Sequence, residues 1–151
     1  MLLITDYRDY IDSIAERIPQ FQLQKVVMDD SQITKFVGEC KSNDKYILFG
    51  IIPKHKPVGD LSTLKSADYF SILILNKVDR SKMTHDDFLE KLEQSQLVTK
   101  KVFDLLLSDH VDQKTCSILK DLDFGSIDIN PIWKLAGCDG YQIDLKIDTF
   151  V

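Results

Sequence analysis

Two carboxylates and a lysine in the first third of the chain have the residue types that metal-dependent hydrolysis uses. Asp30 follows a short apolar run, and Glu39 and Lys41 stand two residues apart further along. Carboxylates hold Mg²⁺, and a nearby lysine helps to activate the attacking water. Asp30, Glu39 and Lys41 are therefore the best candidate catalytic set, against the simpler interpretation of solvent-facing charges on a hairpin.

This arrangement resembles the Asp…Glu-x-Lys metal site of restriction-like nucleases, in which Glu-x-Lys lies on the strand after an Asp-bearing one. The resemblance implies a small Mg²⁺-dependent nuclease as an alternative function. The spacing between Asp30 and Glu39 is tight, the triplet stands beside a turn, and the chain is acidic overall. Since Glu-x-Lys triplets are also common by chance, solvent-facing charges are the preferred interpretation.

A second short motif, Asn76-Lys77-Val78-Asp79, follows an apolar segment and resembles the guanine-reading motif of GTPases. A GTPase also needs a glycine-rich phosphate loop that ends in Gly-Lys-Ser/Thr. No glycine in this chain is followed by lysine. The motif is therefore predicted to be a polar connection between a strand and a helix.

Histidine, acidic and cysteine residues offer no better catalytic set. His85-Asp86-Asp87 and Asp109-His110-Val111-Asp112 contain metal-binding residue types, but helix capping explains both groups. Cys40, Cys116 and Cys138 form an odd set without a Cys-x-x-Cys pair, which indicates free thiols in a reducing compartment. We predict no catalytic thiol, no metal and no cofactor.

The composition limits the class of protein. The chain has 151 residues, 44% of them apolar and 28% charged, which suits one domain over residues 1–151. Its net charge of −5 disfavours a general nucleic-acid binder. The apolar run Met1–Ile4 is too short for a signal peptide, and no stretch approaches the roughly 18 apolar residues of a membrane span.

The first half of the chain predicts one helix and three strands. Thr5 can cap a predicted helix with apolar residues at helical spacing, and Pro19 is expected to end it. The segments that follow are predicted as a strand, the two arms of a hairpin and a long exposed loop: Phe21–Met28, Ile33–Lys41, Lys45–Ile52 and Lys54–Ser66.

The second half predicts a central strand, a long helix and a hairpin. Tyr69–Leu75 has the apolar and β-branched content of a buried strand. Thr84 opens the helix with Asp87 in a variant capping box, and its apolar stripe is interrupted at Ser95, Gln96 and Thr99, most simply for packing reasons. The alternating segments 127–135 and 141–147 form the hairpin, with Pro131 marking an edge.

These elements predict an α+β fold: a largely antiparallel sheet with a long helix and an N-terminal helix packed on it, and a C-terminal β-hairpin. Their order, with Ile51-Ile52-Pro53, Gly59-Asp60, Phe70–Leu75 and Gly140-Tyr141, resembles the tail-terminator and tail-completion proteins of tailed bacteriophages. The resemblance covers nearly the whole chain in order and size, but carries no catalytic or binding residue.

The resemblance implies a non-enzymatic virion protein, made in the host bacterial cytoplasm, at the head–tail junction. It also implies a homo-oligomeric ring of about six subunits, with neck and tail proteins as partners and DNA only as cargo through the lumen. The expected contacts are the C-terminal strand Tyr141–Val151, the Lys54–Ser66 loop and the polar gap of the long helix. The remaining alternative is a bacterial adaptor or immunity-type module that binds one protein partner.

Overall fold

The computed structural model describes residues 1–41, 43–112 and 118–150. The predicted α+β class is confirmed, with three α-helices and five strands in these ranges. None of the three helices is both long and apolar enough to cross a membrane over the described residues. The elements, in chain order, are α1 (Ile4–Arg17), β1 (Phe21–Val27), α2 (Asp30–Glu39), β2 (Tyr46–Val58), β3 (Lys65–Lys77), α3 (His85–Val111), a short 3-10 turn (Phe124–Ser126), β4 (Asp128–Leu135) and β5 (Cys138–Phe150).

The five strands form one sheet in the order β1-β2-β3-β5-β4. β1 runs parallel to β2, and every other neighbouring pair is antiparallel. The prediction of a largely antiparallel sheet is therefore confirmed. Pro131 lies on β4 at the end of the sheet, as its missing N–H group predicts.

Two apolar cores lie on the two faces of the sheet. On one face, α1 and α3 pack over side chains such as Leu48, Ile72 and Ile143. On the other face, α2 packs over side chains such as Phe49 and Leu73. Because β2 and β3 are covered on both faces here, their sequences are apolar without alternation.

The structure corrects the first predicted hairpin, because the segment Ile33–Lys41 is not a strand. Most of it belongs to α2, which Asp29 caps by accepting a hydrogen bond from the Gln32 N–H at 3.1 Å. Ile33 and Val37 are four residues apart, so both lie on the same side of the helix and pack in the second core. α2 thus connects β1 to β2 as parallel neighbours. Ser42, in the predicted turn, lies outside the described residues.

The predicted long loop Lys54–Ser66 is mostly strand. β2 extends to Val58 and β3 begins at Lys65, so the irregular part is limited to residues 59–64. Gly59 has a φ of 100°, and an added Cβ would lie 2.6 Å from the Thr63 carbonyl oxygen, so only glycine fits there. The loop is therefore the tight end of a long hairpin.

The long helix is confirmed, including the capping box between Thr84 and Asp87. Two residues of the polar gap serve packing, because Ser95 and Thr99 are buried and donate to carbonyl oxygens of their own helix, 3.2 and 2.8 Å away, whereas Gln96 is exposed. The helix runs on to Val111. Cys116 lies outside the described residues, whereas Leu119 and Leu122 are buried in the first core.

The C-terminal hairpin of β4 and β5 is confirmed, but its last strand is not the open edge that the sequence predicts. β5 lies between β3 and β4. The part of β5 that extends past β4 is covered by the 121–126 segment. The Asp123 N–H donates to the Lys146 carbonyl oxygen, and the Asp148 N–H donates to the Asp121 carbonyl oxygen. The uncovered edges in the described part of the chain are instead β1 and β4. Val151 is outside the described residues.

Candidate protein-interaction groove

A groove runs between α3 and the edge strand β4. Its first part is a cavity of about 630 Å³ beside the start of α3, and its second is a cavity of about 430 Å³ further along the same two elements. The first part is lined by Arg80, Met83, Thr84, His85, Phe88, Leu92, Pro131, Ile132, Trp133 and Lys134, and the second by Gln96, Leu97, Thr99, Lys100, Phe103, Ile129 and Tyr141.

The wall of the groove is a helical stripe of α3. Phe88, Leu92, Gln96, Thr99 and Phe103 recur every three or four residues and so lie on one side of the helix. The capping box sets where this stripe begins, because it fixes the first turn of α3 directly after the 78–83 connection. Regular spacing on a well-capped helix therefore produces a continuous wall.

The floor of the groove is one face of β4. Ile129, Pro131 and Trp133 alternate along the strand and share this face. α1 contacts β1 and β2, and α3 contacts β3 and β5, so these helices cover four strands and leave the fifth uncovered. Trp133 is 63% exposed as a result. Large exposed apolar surface rimmed by polar groups is typical of an interaction site.

A bulge near the end of β4 positions Trp133. The pairing of β4 with β5 shifts between Ile132 and Leu135, and Lys134 has a φ of 58°, which is uncommon for a residue with a side chain. Asp139 stabilises this conformation, because its carboxylate accepts a hydrogen bond from the Lys134 N–H at 3.0 Å. The bulge thus turns Trp133 into the groove at the cost of an unfavourable backbone conformation.

Two cations flank the Trp133 ring. The Lys134 Nζ lies 4.3 Å from the ring centroid, and the Arg80 guanidinium carbon lies 5.9 Å from it. Arg80 is itself held by two hydrogen bonds to the buried Asp139, one of them 3.0 Å between Nη1 and Oδ2. The ring is therefore fixed by cation–π contacts, while much of its surface stays open to solvent.

The groove is also distinct in charge. Among the described residues that line it, none is aspartate or glutamate, although the whole chain has 24 acidic residues and a net charge of −5. Arg80, Lys134 and Lys100 line it instead. Asp139 pairs with Arg80, and Asp104 pairs with Lys100. The surface that results is therefore apolar with a small positive rim at Lys134, which favours an apolar occupant with an acidic group.

The predicted nuclease residues are not brought together. Asp30 and Glu39 stand at the two ends of α2, which places them about 13 Å apart along the helix axis. Lys41 follows the helix, beyond Glu39. The pair of adjacent strands on which the resemblance to nucleases depends is absent from this part of the described chain. No described group of three or more His, Cys, Asp or Glu residues has the arrangement of a metal site.

The motif Asn76-Lys77-Val78-Asp79 makes structural contacts. The Asn76 amide donates to the carbonyl oxygens of Asn43 and Lys45, at 2.9 and 3.2 Å, and Lys77 Nζ donates to the Cys40 carbonyl oxygen at 2.9 Å. Asp79 accepts from the backbone and hydroxyl of Ser81. These bonds join the end of β3 to its surroundings, in agreement with a polar connection.

The histidine-containing groups are also explained by contacts within the fold. Asp87 completes the capping box of α3, and the neighbouring His85 packs near the Phe88 ring. Asp109 is engaged by Arg17, and His110 donates from Nδ1 to the Leu119 carbonyl oxygen at 2.7 Å.

The described cysteines are buried free thiols without activation. Burial raises the pKa of Cys138 to about 11, and the charge of Lys77 only partly opposes this. Burial likewise raises the pKa of Cys40. Since the thiolate is the reactive form, both side chains behave as small apolar groups of the second core.

A buried cluster around Asp68 brings Ser, His and Asp together but lacks the geometry of a catalytic triad. The Ser66 hydroxyl and His55 Nδ1 both donate to Oδ1 of Asp68, at 2.5 and 2.7 Å, whereas a triad needs a bond between serine and histidine. Oδ2 accepts from Thr149 and from the Leu2 N–H. The cluster therefore fastens the beginning of the chain to the sheet.

Sequence reasoning missed this groove. Two signals could have located it. Ile129, Pro131 and Trp133 occupy alternate positions of a strand that Pro131 marks as an edge, so their shared face is left without a neighbouring strand's helix. The apolar stripe of α3 that includes Phe88 and Leu92 is the second signal. The predicted contact elements overlap it only at Gln96, Thr99 and Tyr141. The chain matches no family model, no curated protein and no solved structure.

Proposed function

We propose that this chain is a structural subunit that assembles with copies of itself into a ring, in the neck or tail of a tailed bacteriophage virion. The observation that carries the proposal is the apolar groove beside the uncovered edge of β4. The parts of the resemblance to tail-terminator and tail-completion proteins that the fold retains, namely the N-terminal helix, the central strand, the long helix and the C-terminal hairpin, support the phage setting. In this setting the subunit works by binding neighbouring subunits and neck or tail proteins, while DNA passes through the lumen.

The arrangement of the edges favours a ring. β1 and β4 are the two ends of the sheet and differ in sequence and surroundings. Contacts between two different surfaces of identical subunits generate closed rings when the rotation closes. A subunit with one uncovered edge at each end of its sheet can therefore bind one neighbour on each side.

The experiment is the solution mass of the purified protein by light scattering over a concentration series, with negative-stain images of large species. We expect a closed oligomer with ring-shaped particles. Leu97→Glu places a charge in the groove and is expected to leave monomers. Leu89→Glu is the matched control, because Leu89 is also on α3 and 49% exposed but does not line the groove.

A wild-type protein that stays monomeric at every concentration contradicts the proposal. A monomer that forms a one-to-one complex with a single different protein indicates the adaptor alternative instead. Equal assembly of wild type and Leu97→Glu removes the groove from the proposal.

A further inference from the structure

We infer that the groove of one subunit is filled by the α1–β1 end of the next, with β4 pairing antiparallel to the neighbour's β1. This inference rests on the proposed function, since it names the second surface of the same self-assembly. It is carried by strand direction, by the spacing of the helices on the sheet, by exposed apolar side chains and by charge.

Strand directions allow the two edges to pair in a regular ladder. β1, β2 and β5 run one way, and β3 and β4 run the other way. When the sheet continues from one copy to the next around an axis along the strands, β4 meets a β1 that runs in the opposite direction. This is the antiparallel pairing, whose hydrogen bonds lie perpendicular to the strands.

The spacing of the helices leaves room for a neighbour's helix. A helix with its side chains is about 10 Å wide, and two strands span about the same distance. α1 covers β1 and β2, α3 covers β3 and β5, and in the described ranges no helix packs on β4 to a comparable extent. Continuing the sheet therefore places the neighbour's α1 across the groove from α3, with β4 as the floor between them.

Exposed apolar side chains gather where β1 ends and α1 begins. An added Cβ on Gly50 would lie 2.8 Å from Tyr7 and Ile11 side-chain atoms, and Gly50 pairs with Val26. The first turn of α1 therefore lies level with the end of β1. At this end Ile4 is 52% exposed and Met28 is 64% exposed.

The part of the groove that would receive this apolar end is the second cavity, and it is apolar as well. In the antiparallel arrangement, the end of the neighbour's β1 lies beside the beginning of β4, where Ile129 is the first apolar side chain of the floor. Leu97, 59% exposed, and Phe103 form the wall at this level. Ile4 and Met28 of one copy therefore meet Ile129 and Leu97 of another, which removes apolar surface from water on both sides.

In the part of the groove beside Trp133, opposite charges of the two copies lie close together. The last turns of α1 bear Asp12 and Glu16, and the carbonyl end of a helix carries partial negative charge, while Arg17 in the last turn is paired with Asp109 of α3. In the same antiparallel arrangement this end lies near the cations Arg80 and Lys134 around Trp133. A parallel pairing would require the neighbour to be turned over, which would move its α1 to the opposite face of the sheet, so α1 can fill the groove only in the antiparallel arrangement.

The test is a mixing experiment with two variants that each damage one surface. Leu97→Glu damages the groove but keeps the α1–β1 end, and Ile4→Glu damages that end but keeps the groove. Ile4 is exposed at the first turn of α1, where a carboxylate is favourable, so the second variant is expected to fold. Circular dichroism and thermal unfolding check both variants before mixing.

We expect each variant alone to be monomeric and an equimolar mixture to form a heterodimer with twice the 17.4 kDa mass of one chain. A mixture that stays monomeric, or an Ile4→Glu variant that assembles like wild type, overturns the pairing of these two surfaces while self-assembly stands. A wild-type protein that never assembles overturns the proposed function itself. Each variant alone lacks one of the two complementary surfaces, and the mixture is expected to stop at dimers because the surfaces left at the two ends of each dimer are the damaged ones.

Discussion

The two halves of α3 lie in opposite environments. The C-terminal half is sealed against α1 and the sheet through Val102, Leu106 and Asp109, all of them buried. The N-terminal half presents Phe88 and Leu92 to an open groove. The C-terminal half thus mainly stabilises the fold, although Phe103 on it also lines the groove, and the N-terminal half mainly offers the binding surface. Substitutions at Leu106 and at Leu97 are therefore expected to affect different measurements.

The sealed half depends on a buried ion pair as well as on apolar contacts. Arg17 donates two hydrogen bonds to Asp109, at 2.8 and 2.7 Å, and the Tyr10 hydroxyl donates a third at 2.8 Å. Burial alone raises the pKa of Asp109, but these hydrogen bonds and the Arg17 charge outweigh it, so the pKa lies below its usual value. α1 and α3 are therefore joined by a carboxylate that must stay ionised.

The largest effect on stability is expected from Leu106→Ala. Leu106 is fully buried in the first core, and truncating such a side chain costs about 2–5 kcal/mol of the free energy of unfolding. Leu97→Ala on the exposed half is the control, with an expected change within about 0.5 kcal/mol. Urea denaturation measures both. Similar losses for the two variants would mean that the two halves of α3 do not differ as described.

The next effect is expected from Arg17→Met, which leaves the Asp109 carboxylate buried without its cation. Because Arg17 is 37% exposed, solvent screening reduces the cost to about 2 kcal/mol at pH 7. The lowered pKa of Asp109 means that its pair stabilises the fold above the unfolded pKa of about 3.9 and that this is lost as the pH falls through the folded pKa.

The stability difference between wild type and Arg17→Met should therefore be full at pH 7 and shrink below about pH 4. Urea denaturation at several pH values measures it. A difference that is constant across this range would mean that the pair is not ionised in the folded protein. Arg8→Met is the matched control, because Arg8 forms its ion pair with the exposed Asp9 and its replacement should change stability little.

A smaller effect, on assembly rather than on stability, is expected from Trp133→Ala. Exposed aromatic residues in the centre of an interface often dominate its affinity. We expect the association constant between copies to fall at least tenfold, with the unfolding midpoint almost unchanged. Sedimentation or light scattering over a concentration series measures the first and thermal unfolding the second. Unchanged association would remove Trp133 from the interface.

The smallest effect is expected from Lys134→Ala, which removes a cation at the rim of the groove. Rim charges contribute a few tenths of a kcal/mol to about 1 kcal/mol and are screened by salt. We expect association to weaken a few-fold at low salt and to match wild type at about 1 M salt, where the Debye length is about 3 Å. An effect that salt leaves unchanged would indicate a packing role for the lysine stem.

Much of the fold could be predicted because periodicity reports burial directly. The β3 core segment Tyr69–Leu75, the capped helix at Thr84 and the final hairpin all have patterns that fit only one type of element. α2 was missed because Ile33, Thr34 and Val37 are β-branched and favour strands locally. Packing of Ile33 and Val37 on one side of the sheet overrides that preference, although Asp29 and Gln32 gave a cap signal.

The groove could not be predicted because it depends on strand order. Nothing local to β5 shows that it inserts between β3 and β4, so the C-terminal strand appears uncovered in sequence while β4 takes the edge. The bulge at Lys134 is equally hidden, since it depends on Asp139 and on Arg80, which is far away in the chain. The placement of Asp30 and Glu39 differs from the expectation for another reason: the segment between them was predicted as a strand, and as the helix α2 it holds the two carboxylates at opposite ends.

The most direct test of the central claim, that copies meet at β4 and β1, is backbone hydrogen–deuterium exchange of the wild-type protein at low and high concentration. The account predicts that amides of β4 (Asp128–Leu135) and β1 (Phe21–Val27) gain protection at high concentration, while the β2 and β3 amides stay equally protected at both. Protection gained only at other surfaces, or no change at β4 with assembly taking place, would contradict it.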